Sequence, residues 1–207
     1  LGDRYASGTG GVSKDPVEAL KWYKLSAEQG LSSGQAGLGG LFLRGEGVNK
    51  DYIEALKWFK LAMDNDGNAF ATAQIAYMYM NGYGVSKNFD EAFRLNLSAA
   101  QKGSVQAQAN LGVQYKYGNG TNKDLEQAVI WLRKSAKAGN EFAKNQLDSV
   151  ELKSVIAKVE ADEIVASAKE EVKKQYEELE KLKTQTAQIK EIQPAEPIVN
   201  VTPNAPA

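Results

Sequence analysis

The residues of this sequence that could do chemistry are its carboxylates and its glycine-rich loops, because the chain contains neither histidine nor cysteine. Histidine is the commonest general base, and a cysteine thiolate is an intrinsically strong nucleophile. Without thiols the chain also has no disulfide and no thiolate metal site. Catalysis would depend on carboxylates alone, so we predict that the protein is not an enzyme and has no cofactor or metal site.

Pairs of acidic or amide residues recur with a separation of three positions. Asp15 and Glu18 could in principle share general acid–base catalysis. The spacing is also that of a capping box, in which one residue caps a helix and the residue three positions later accepts its amide. We favour the structural interpretation because the pair returns as Asp51 and Glu54, as Asn88 and Glu91, and as Asp124 and Gln127.

Glycine pairs of the form G-x-G invite comparison with phosphate-binding loops. Each pair follows a predicted helix rather than a strand, no G-K-[ST] sequence occurs, and the third glycine of a dinucleotide fingerprint is missing. The segment "MDNDGN" (residues 63–68) resembles a calcium loop, but Ala62 stands where the first carboxylate ligand belongs. We interpret these glycines as loop residues that join packed helices.

The charges of the chain nearly balance, since 25 Lys and Arg against 26 Asp and Glu give a formal net charge of −1. A nucleic-acid-binding protein usually carries a basic surplus that neutralises phosphates. No stretch approaches the roughly 20 consecutive apolar residues of a membrane-spanning helix. We therefore predict neither nucleic-acid binding nor a transmembrane span.

The chain repeats itself with a period near 36 residues, which suits a pair of helices. The copies begin at Leu1, Leu38, Ile75 and Leu111, and they close at Gly30, Gly67, Gly103 and Gly139. The closing glycines suit the left-handed position that ends many helices. A small residue follows each leading residue, as Gly2, Gly39, Ala76 and Gly112. Because glycine weakens a helix by about 1 kcal/mol relative to alanine, its return there predicts close approach of two helices.

The second copy, "LGGLFLRGEGVNKDYIEALKWFKLAMDNDG", resembles the Sel-one-like repeat, a relative of the tetratricopeptide repeat. The family pattern is L-G-x-x-Y-x-x-G-x-G-V, then K-D, then A-x-x-W-[YF] and a final glycine. It is matched by Leu38, Gly39, Phe42, Gly45, Gly47, Val48, Lys50, Asp51, Ala55, Trp58 and Phe59. We predict an all-α fold, a right-handed α–α superhelix (solenoid) of four helix-loop-helix repeats followed by a long C-terminal helix.

Three departures from the pattern stand out. The first loop carries an extra residue at Gly10 and Gly11, and Thr121 replaces the loop valine of the fourth copy. The third copy has Leu95 and Asn96 where Trp and an aromatic residue belong. We therefore expect the third repeat to be weaker than its neighbours, so that the array is softer or locally bent there.

The predicted array covers residues 1–147, with units at about 1–30, 31–67, 68–103 and 104–139 and a partial fifth from 140. Residues 148–193 contain neither Gly nor Pro and are predicted to form one capping or extended helix. The tail, residues 194–207, is rich in Pro and Ala and is predicted to be disordered. Leu1 is not a methionine and lies inside a repeat, so we expect that a preceding segment is missing.

The C-terminal helix carries apolar residues on a heptad frame, with Gln175 and Thr186 at two polar positions. The apolar residues are Val165, Ala168, Val172, Leu179, Leu182 and Ile189. One interpretation is a cap that covers the last repeat, which a solenoid needs. The other is a coiled coil or a helix that docks on a partner or mediates oligomerisation, and it applies best from Gln175 to Ile192.

Stacked helix pairs present a concave face that is lined mainly by the first helix of each pair. The positions left open by the repeat pattern are Asp3, Ser7, Gly40, Leu43, Arg44, Tyr77, Met80, Asn81, Val113, Lys116 and Tyr117. Tyr, Met and Arg are enriched at protein interfaces, although an ordinary mixed surface would look similar. We predict a non-enzymatic adaptor or scaffold that binds a protein or peptide on this face.

Two alternatives remain open. The protein could be a structural component that docks through its C-terminal helix, with the repeats as a rigid mount, or the tyrosines could bind carbohydrate. The resemblance implies a bacterial protein of the periplasm or a secreted one, because many relatives are exported and act as scaffolds.

Overall fold

We describe the protein from a computed structural model, which covers residues 1–192 without the side chains of residues 150 and 187–192. The predicted disordered tail and the side chain of Ile189 lie outside this part. Residues 1–159 form one compact unit, and a second unit begins at Glu160. Each unit is described by itself.

The described residues are helical from end to end, with only turns between the helices. The first helix of each pair, here called an A helix, is α1 (Gly2–Ser7), α3 (Ser32–Arg44), α5 (Ala69–Asn81) or α7 (Val105–Tyr117). The second, the B helix, is α2 (Pro16–Glu28), α4 (Tyr52–Asp66), α6 (Phe89–Gln101) or α8 (Leu125–Lys137). They are followed by α9 (Glu141–Leu147) and α10 (Val150–Ile192). The predicted all-α solenoid is confirmed.

Each B helix begins at the predicted cap. In the second repeat, Asp51 Oδ1 accepts hydrogen bonds from the amides of Ile53 and Glu54 at 2.9 and 3.0 Å. The amide of Asp51 itself donates to the carbonyl of Phe42 at 3.0 Å. The caps of the other repeats, Asp15, Asn88 and Asp124, donate in the same way to the carbonyls of Tyr5, Tyr79 and Tyr115.

This second bond corrects one part of the sequence prediction. A capping box needs the cap's amide to be free for the side chain three residues later, but here the amide is already bonded to the A helix. The freed carboxylate pairs with a cation one turn along instead, as Glu54 does with Lys57 at 3.3 Å. Glu18 with Lys21 and Glu91 with Arg94 repeat the arrangement.

The glycine that follows the leading residue of a copy, which lies in the middle of α3 and α7, lets the B helix approach. A Cβ added at Gly39 would lie 2.9 Å from the ring of Phe59, which is completely buried. Gly2 is covered by Tyr23 and Gly112 by Leu132 in the same manner. The predicted close approach is therefore confirmed, and it explains why glycine is used despite its cost inside a helix.

The second glycine of each G-x-G loop holds one repeat against the previous one. Gly84 has φ +68°, and a Cβ there would lie 2.8 Å from the carbonyl oxygen of Tyr52, at the start of the preceding B helix. Gly47 sits on Pro16 and Gly120 on Phe89, which occupy the same position in their repeats. The loop is therefore also a contact between repeats, where only hydrogen fits.

The third repeat replaces its missing aromatic residue with a buried polar pair. Asn96 is completely buried, and its Nδ2 donates to Oε1 of Gln114, also completely buried, at 2.8 Å. Gln114 occupies the position held by Leu41 and Met78 in earlier repeats. The two departures therefore compensate each other across the boundary between repeats three and four. The predicted softness of this region stays a prediction.

The first turns of α10 cover the end of the array. Leu152 and Val159 are buried in a cluster with Val129, Leu132 and Ala143. Lys123 Nζ also pairs with Glu151 Oε1 at 2.8 Å, and this hydrogen bond lowers the pKa of the Glu151 carboxyl. The apolar surface of the last B helix is thereby closed, as a solenoid requires.

The second unit is described only by the continuation of α10. Every described side chain from 160 to 186 is exposed. Within residues 1–192, no helix combines the length and apolarity that crossing a membrane requires.

We expect the contact between repeats to make Gly84→Ala more destabilising than Gly103→Ala. Both glycines have positive φ, so both substitutions carry a left-handed strain of about 1–2 kcal/mol. Only at Gly84 does the added methyl group meet backbone, whereas nothing lies within 4 Å of a Cβ at Gly103. The free energy of unfolding in urea should fall further for Gly84→Ala, and equal losses would contradict the role assigned to this loop.

We also expect the buried amide pair to behave as a unit. Gln114→Leu alone should lower the free energy of unfolding by about 1–3 kcal/mol, because Asn96 then loses its partner in the interior. Asn96→Leu combined with Gln114→Leu should recover most of this loss, since Asn96 Oδ1 already lacks a partner among the described residues. A double-mutant cycle measures the coupling, and additive losses would show that the residues act independently.

Candidate functional site

The A helices share one outward face, which we call the A-helix face. It consists of positions spaced by four, three and four residues, which fall on one side of a helix. In α3 these are Ser33, Gly37, Gly40 and Arg44, in α5 Phe70, Gln74, Tyr77 and Asn81, and in α7 Gln106, Asn110, Val113 and Tyr117. The face therefore changes from small residues in the second repeat to aromatic and amide residues in the third.

A hollow of about 310 Å³ forms where the small residues lie. Its walls come from α1, α2, α3 and the start of α5, and they include Asp3, Tyr23, Gly40, Arg44 and Phe70. Two features of α3 create it. Gly37 makes room for the ring of Tyr23, on which an added Cβ would impinge, and Gly40 places no side chain in the space.

The floor of the hollow is a buried phenol bonded to a carboxylate. Tyr23 is only 8% exposed, and its hydroxyl donates to Asp3 Oδ1 at 2.7 Å. Burial raises the pKa of Tyr23, and the hydrogen bond to Asp3 raises it further. The hydroxyl therefore remains a proton donor at neutral pH and holds the carboxylate in position.

The rim carries an anchored arginine. Arg44 Nε donates to Glu46 Oε2 at 2.8 Å, and Lys14 Nζ reaches Glu46 Oε1 at 3.2 Å. The hydrogen bond from Arg44 lowers the pKa of Glu46, with a further contribution from Lys14. The guanidinium group is thus oriented beside the hollow, and a planar, oriented guanidinium is well suited to bind a carboxylate.

A cluster of tyrosines continues the face in the next repeat. Tyr52 and Tyr83 stack with ring centroids 4.6 Å apart, and Tyr77 meets Tyr83 edge-on at 5.7 Å. Burial raises the pKa of Tyr77, and the neighbouring Tyr83 raises it further. With 40% of Tyr77 exposed, the cluster presents an aromatic edge whose geometry is held by two neighbouring rings.

Some of the predicted face residues lie on the A-helix face, and others are partly buried. Gly40 and Arg44 line the hollow, and Tyr77, Asn81 and Tyr117 are exposed on the A-helix face. Leu43 and Val113 pack partly against the core, and Met80 is half-buried.

Lys116 is a correction to the predicted open surface. It is only 5% exposed, and its Nζ lies 3.2 Å from Ser149 Oγ and 3.4 Å from Gln146 Oε1. The reason is that α9 and the turn before α10 cover the end of α7. The repeat pattern does not include this turn.

Phe70 is the wall residue that sequence reasoning missed. Its side chain is 48% exposed and it lines the hollow from the first turn of α5. The sequence contains a signal for this position, because Phe70 precedes Tyr77 by seven residues and so lies on the same side of the helix.

The comparisons with known proteins agree with this architecture. The family model of the Sel1 repeat matches four times, at residues 1–31, 32–66, 69–104 and 105–140. A Sel1 repeat protein from Oxalobacter formigenes has 38% identity and a TM-score of 0.61, with 70% of this chain and 59% of that chain covered. A protective antigen of uropathogenic Escherichia coli with an SLR fold has 35% identity and a TM-score of 0.60, with 71% and 31% covered.

Other similarities are lower in identity or cover a shorter segment. Cysteine-rich protein B of Helicobacter pylori has 22% identity and a TM-score of 0.50, with 65% of this chain and 96% of that chain covered. Among curated proteins, an uncharacterized protein of Neisseria meningitidis serogroup B is 40% identical over 57 residues, 28% of this chain. Chitin synthase regulatory factor 3 of Schizosaccharomyces pombe is 29% identical over 155 residues, 74% of this chain.

This chain spans only 12% and 13% of the lengths of those two curated proteins. Sel1 repeats mediate protein interactions, and Sel1 repeat proteins are typically non-enzymatic scaffolds. With four matched repeats between residues 1 and 140 and the helix pairs that they predict, the chain belongs to the Sel1 repeat family.

Proposed function

We propose that this chain is a non-enzymatic adaptor that binds a protein or peptide on the A-helix face, with the hollow beside Gly40 as its principal subsite. The observation that carries the proposal is the hollow itself, which lies between three successive A helices at the positions left open by the repeat pattern.

The chemistry of the walls favours a particular kind of ligand. Arg44 supplies an oriented guanidinium group at the rim, and Phe70 supplies an exposed aromatic ring. An extended peptide that offers a carboxylate to Arg44 and an apolar side chain to Phe70 would match both. Arg and aromatic residues, Phe among them, are also enriched at protein interfaces.

The direction of the face supports an extended ligand. The equivalent positions of α3, α5 and α7 follow one another along the array, so a peptide that begins in the hollow could continue over the tyrosine cluster at Tyr77. Repeat proteins use such continuous surfaces for long, shallow contacts.

We expect Gly40→Leu to weaken peptide binding without unfolding the array. A Cβ at Gly40 meets only the guanidinium group of Arg44, at 3.1 Å and beyond, and glycine is unfavourable inside a helix. Peptides would first be selected by the unmodified protein from a random displayed library. Fluorescence anisotropy with synthetic copies should then show at least about a tenfold loss of affinity, equivalent to 1.4 kcal/mol or more.

Arg44→Ala and Arg94→Ala form a matched pair of variants. Both arginines are exposed and paired with a glutamate, but Arg44 borders the hollow and Arg94 lies on the B helix α6. Affinity should fall for Arg44→Ala and stay unchanged for Arg94→Ala. Selected peptides that bind Gly40→Leu as tightly as the unmodified protein would refute the proposal.

A further inference from the structure

The part of α10 in the second unit has an apolar stripe that nothing covers among the described residues. We call residues 160–192 the C-terminal segment. Its larger stripe residues are about half exposed or more, with Val165 at 51%, Val172 at 64%, Leu179 at 49% and Leu182 at 59%. Val165, Ala168 and Val172 form one shallow apolar surface together with the stem of Lys169. An isolated helix gains little stability in water from such residues, because most helical stability comes from packing an apolar face. We therefore expect the stripe to pack against a partner.

The spacing of the stripe defines the kind of partner. Val165, Val172 and Leu179 fall at successive a positions of a heptad, and Ala168 and Leu182 fall at d positions. A strict a/d stripe is the narrow seam of a coiled coil, whereas a helix that packs in a globular core shows a wider face. A β-branched residue at a with leucine at d favours two strands, and this seam has valine at its first two a positions and leucine at its last described d position.

We propose that the C-terminal segment forms a parallel, in-register two-stranded coiled coil with a second copy of this chain. The seam runs from Val165 to Leu182 in the described side chains, and the heptad frame continues in the sequence through Thr186 to Ile189. This interaction is independent of ligand binding on the A-helix face.

Charge complementarity selects the parallel orientation. In that orientation Glu178, at a g position, lies beside Lys183 of the other copy, at the following e position, and the pair occurs twice. Glu171 then lies beside Tyr176, so no like charges meet at these flanking positions. The i,i+3 bond from Lys183 Nζ to Glu180 at 2.9 Å is compatible with this, because an ammonium group has three donors.

The antiparallel orientation has less favourable side-chain contacts than the parallel one in two respects. The register that pairs Val165 with Leu182 and Ala168 with Leu179 brings Asp162 beside Lys183 of the other copy twice, which equals the attraction in the parallel dimer. It also brings Glu171 beside Glu178 of the other copy twice, and this repulsion has no counterpart in the parallel dimer. It places Gln175 against Val172, where the amide group has no polar partner. In the parallel dimer the two copies of Gln175 face each other and can form a hydrogen bond, and a polar layer of this kind is known to set register and strand number.

The oligomeric state of the full chain tests the existence of the dimer. Sedimentation equilibrium should show a reversible monomer–dimer system for the unmodified protein. Leu179→Glu combined with Leu182→Glu should raise the dissociation constant at least about a hundredfold. Both leucines are exposed within the chain, so the circular dichroism of the repeats should be unchanged.

The matched control is Ser167→Glu combined with Thr184→Glu. It adds the same two charges to the same helix at positions outside the seam, and it should leave the dimer intact. A monomeric unmodified chain would overturn the proposal, as would a dimer that survives Leu179→Glu with Leu182→Glu. Equal loss of the dimer in the control would also overturn it, because charge alone would then explain the effect.

A single cysteine tests the orientation, because the natural chain has none. Thr186→Cys places a thiol at an a position near the end of the seam. In the parallel dimer the two thiols face each other, and a short bismaleimide should crosslink the copies efficiently. In the antiparallel register residue 186 faces residue 161, so the thiols would be about 37 Å apart at 1.5 Å per residue. A dimer without crosslinking would overturn the parallel arrangement.

Discussion

The cap at the start of each B helix is the interaction on which the array depends. Asp51 satisfies the amides of the first turn through its carboxylate and donates its own amide to the carbonyl of Phe42. The first bond starts the B helix, and the second fixes that helix to the end of the A helix before it. The angle of the helix pair is therefore set by hydrogen bonds within a short loop. The bond from the cap's side chain to the amide three residues later and the bond from the cap's own amide to the A helix recur in all four repeats.

Two steric constraints build on this loop. The glycine in the middle of the A helix allows the B helix to pack closely, as Gly39 does under Phe59. The loop glycine fits the next repeat against the previous one, as Gly84 does on Tyr52. Because each repeat contacts its neighbours in the same way, the open positions of successive A helices align into one face. The hollow beside Gly40 is a local consequence, since small residues at three positions of α3 leave space between regularly placed helices.

The third repeat shows how the array tolerates exceptions. Asn96 would be costly in place of a buried aromatic residue if it stood alone. Gln114, in the next repeat, supplies the partner within the same buried layer. The exception therefore involves two repeats. When the third copy is considered alone, Asn96 looks like a loss of core packing, because its partner Gln114 lies in the fourth copy.

The sequence by itself determined the helix pairs, their boundaries, the caps and the close approach of the two helices, because each depends on residues near in the chain and is written four times. Tertiary structure decided which open positions are surface. Lys116 is buried where the partial fifth repeat ends, by α9 and the turn after it. Phe70 becomes a wall only because α3 offers no side chains opposite it. It also decided the destination of the cap's amide, since the carbonyl of Phe42 competes for it with the nearby Glu54. Such outcomes depend on distances between elements, and a periodic pattern carries no information on them.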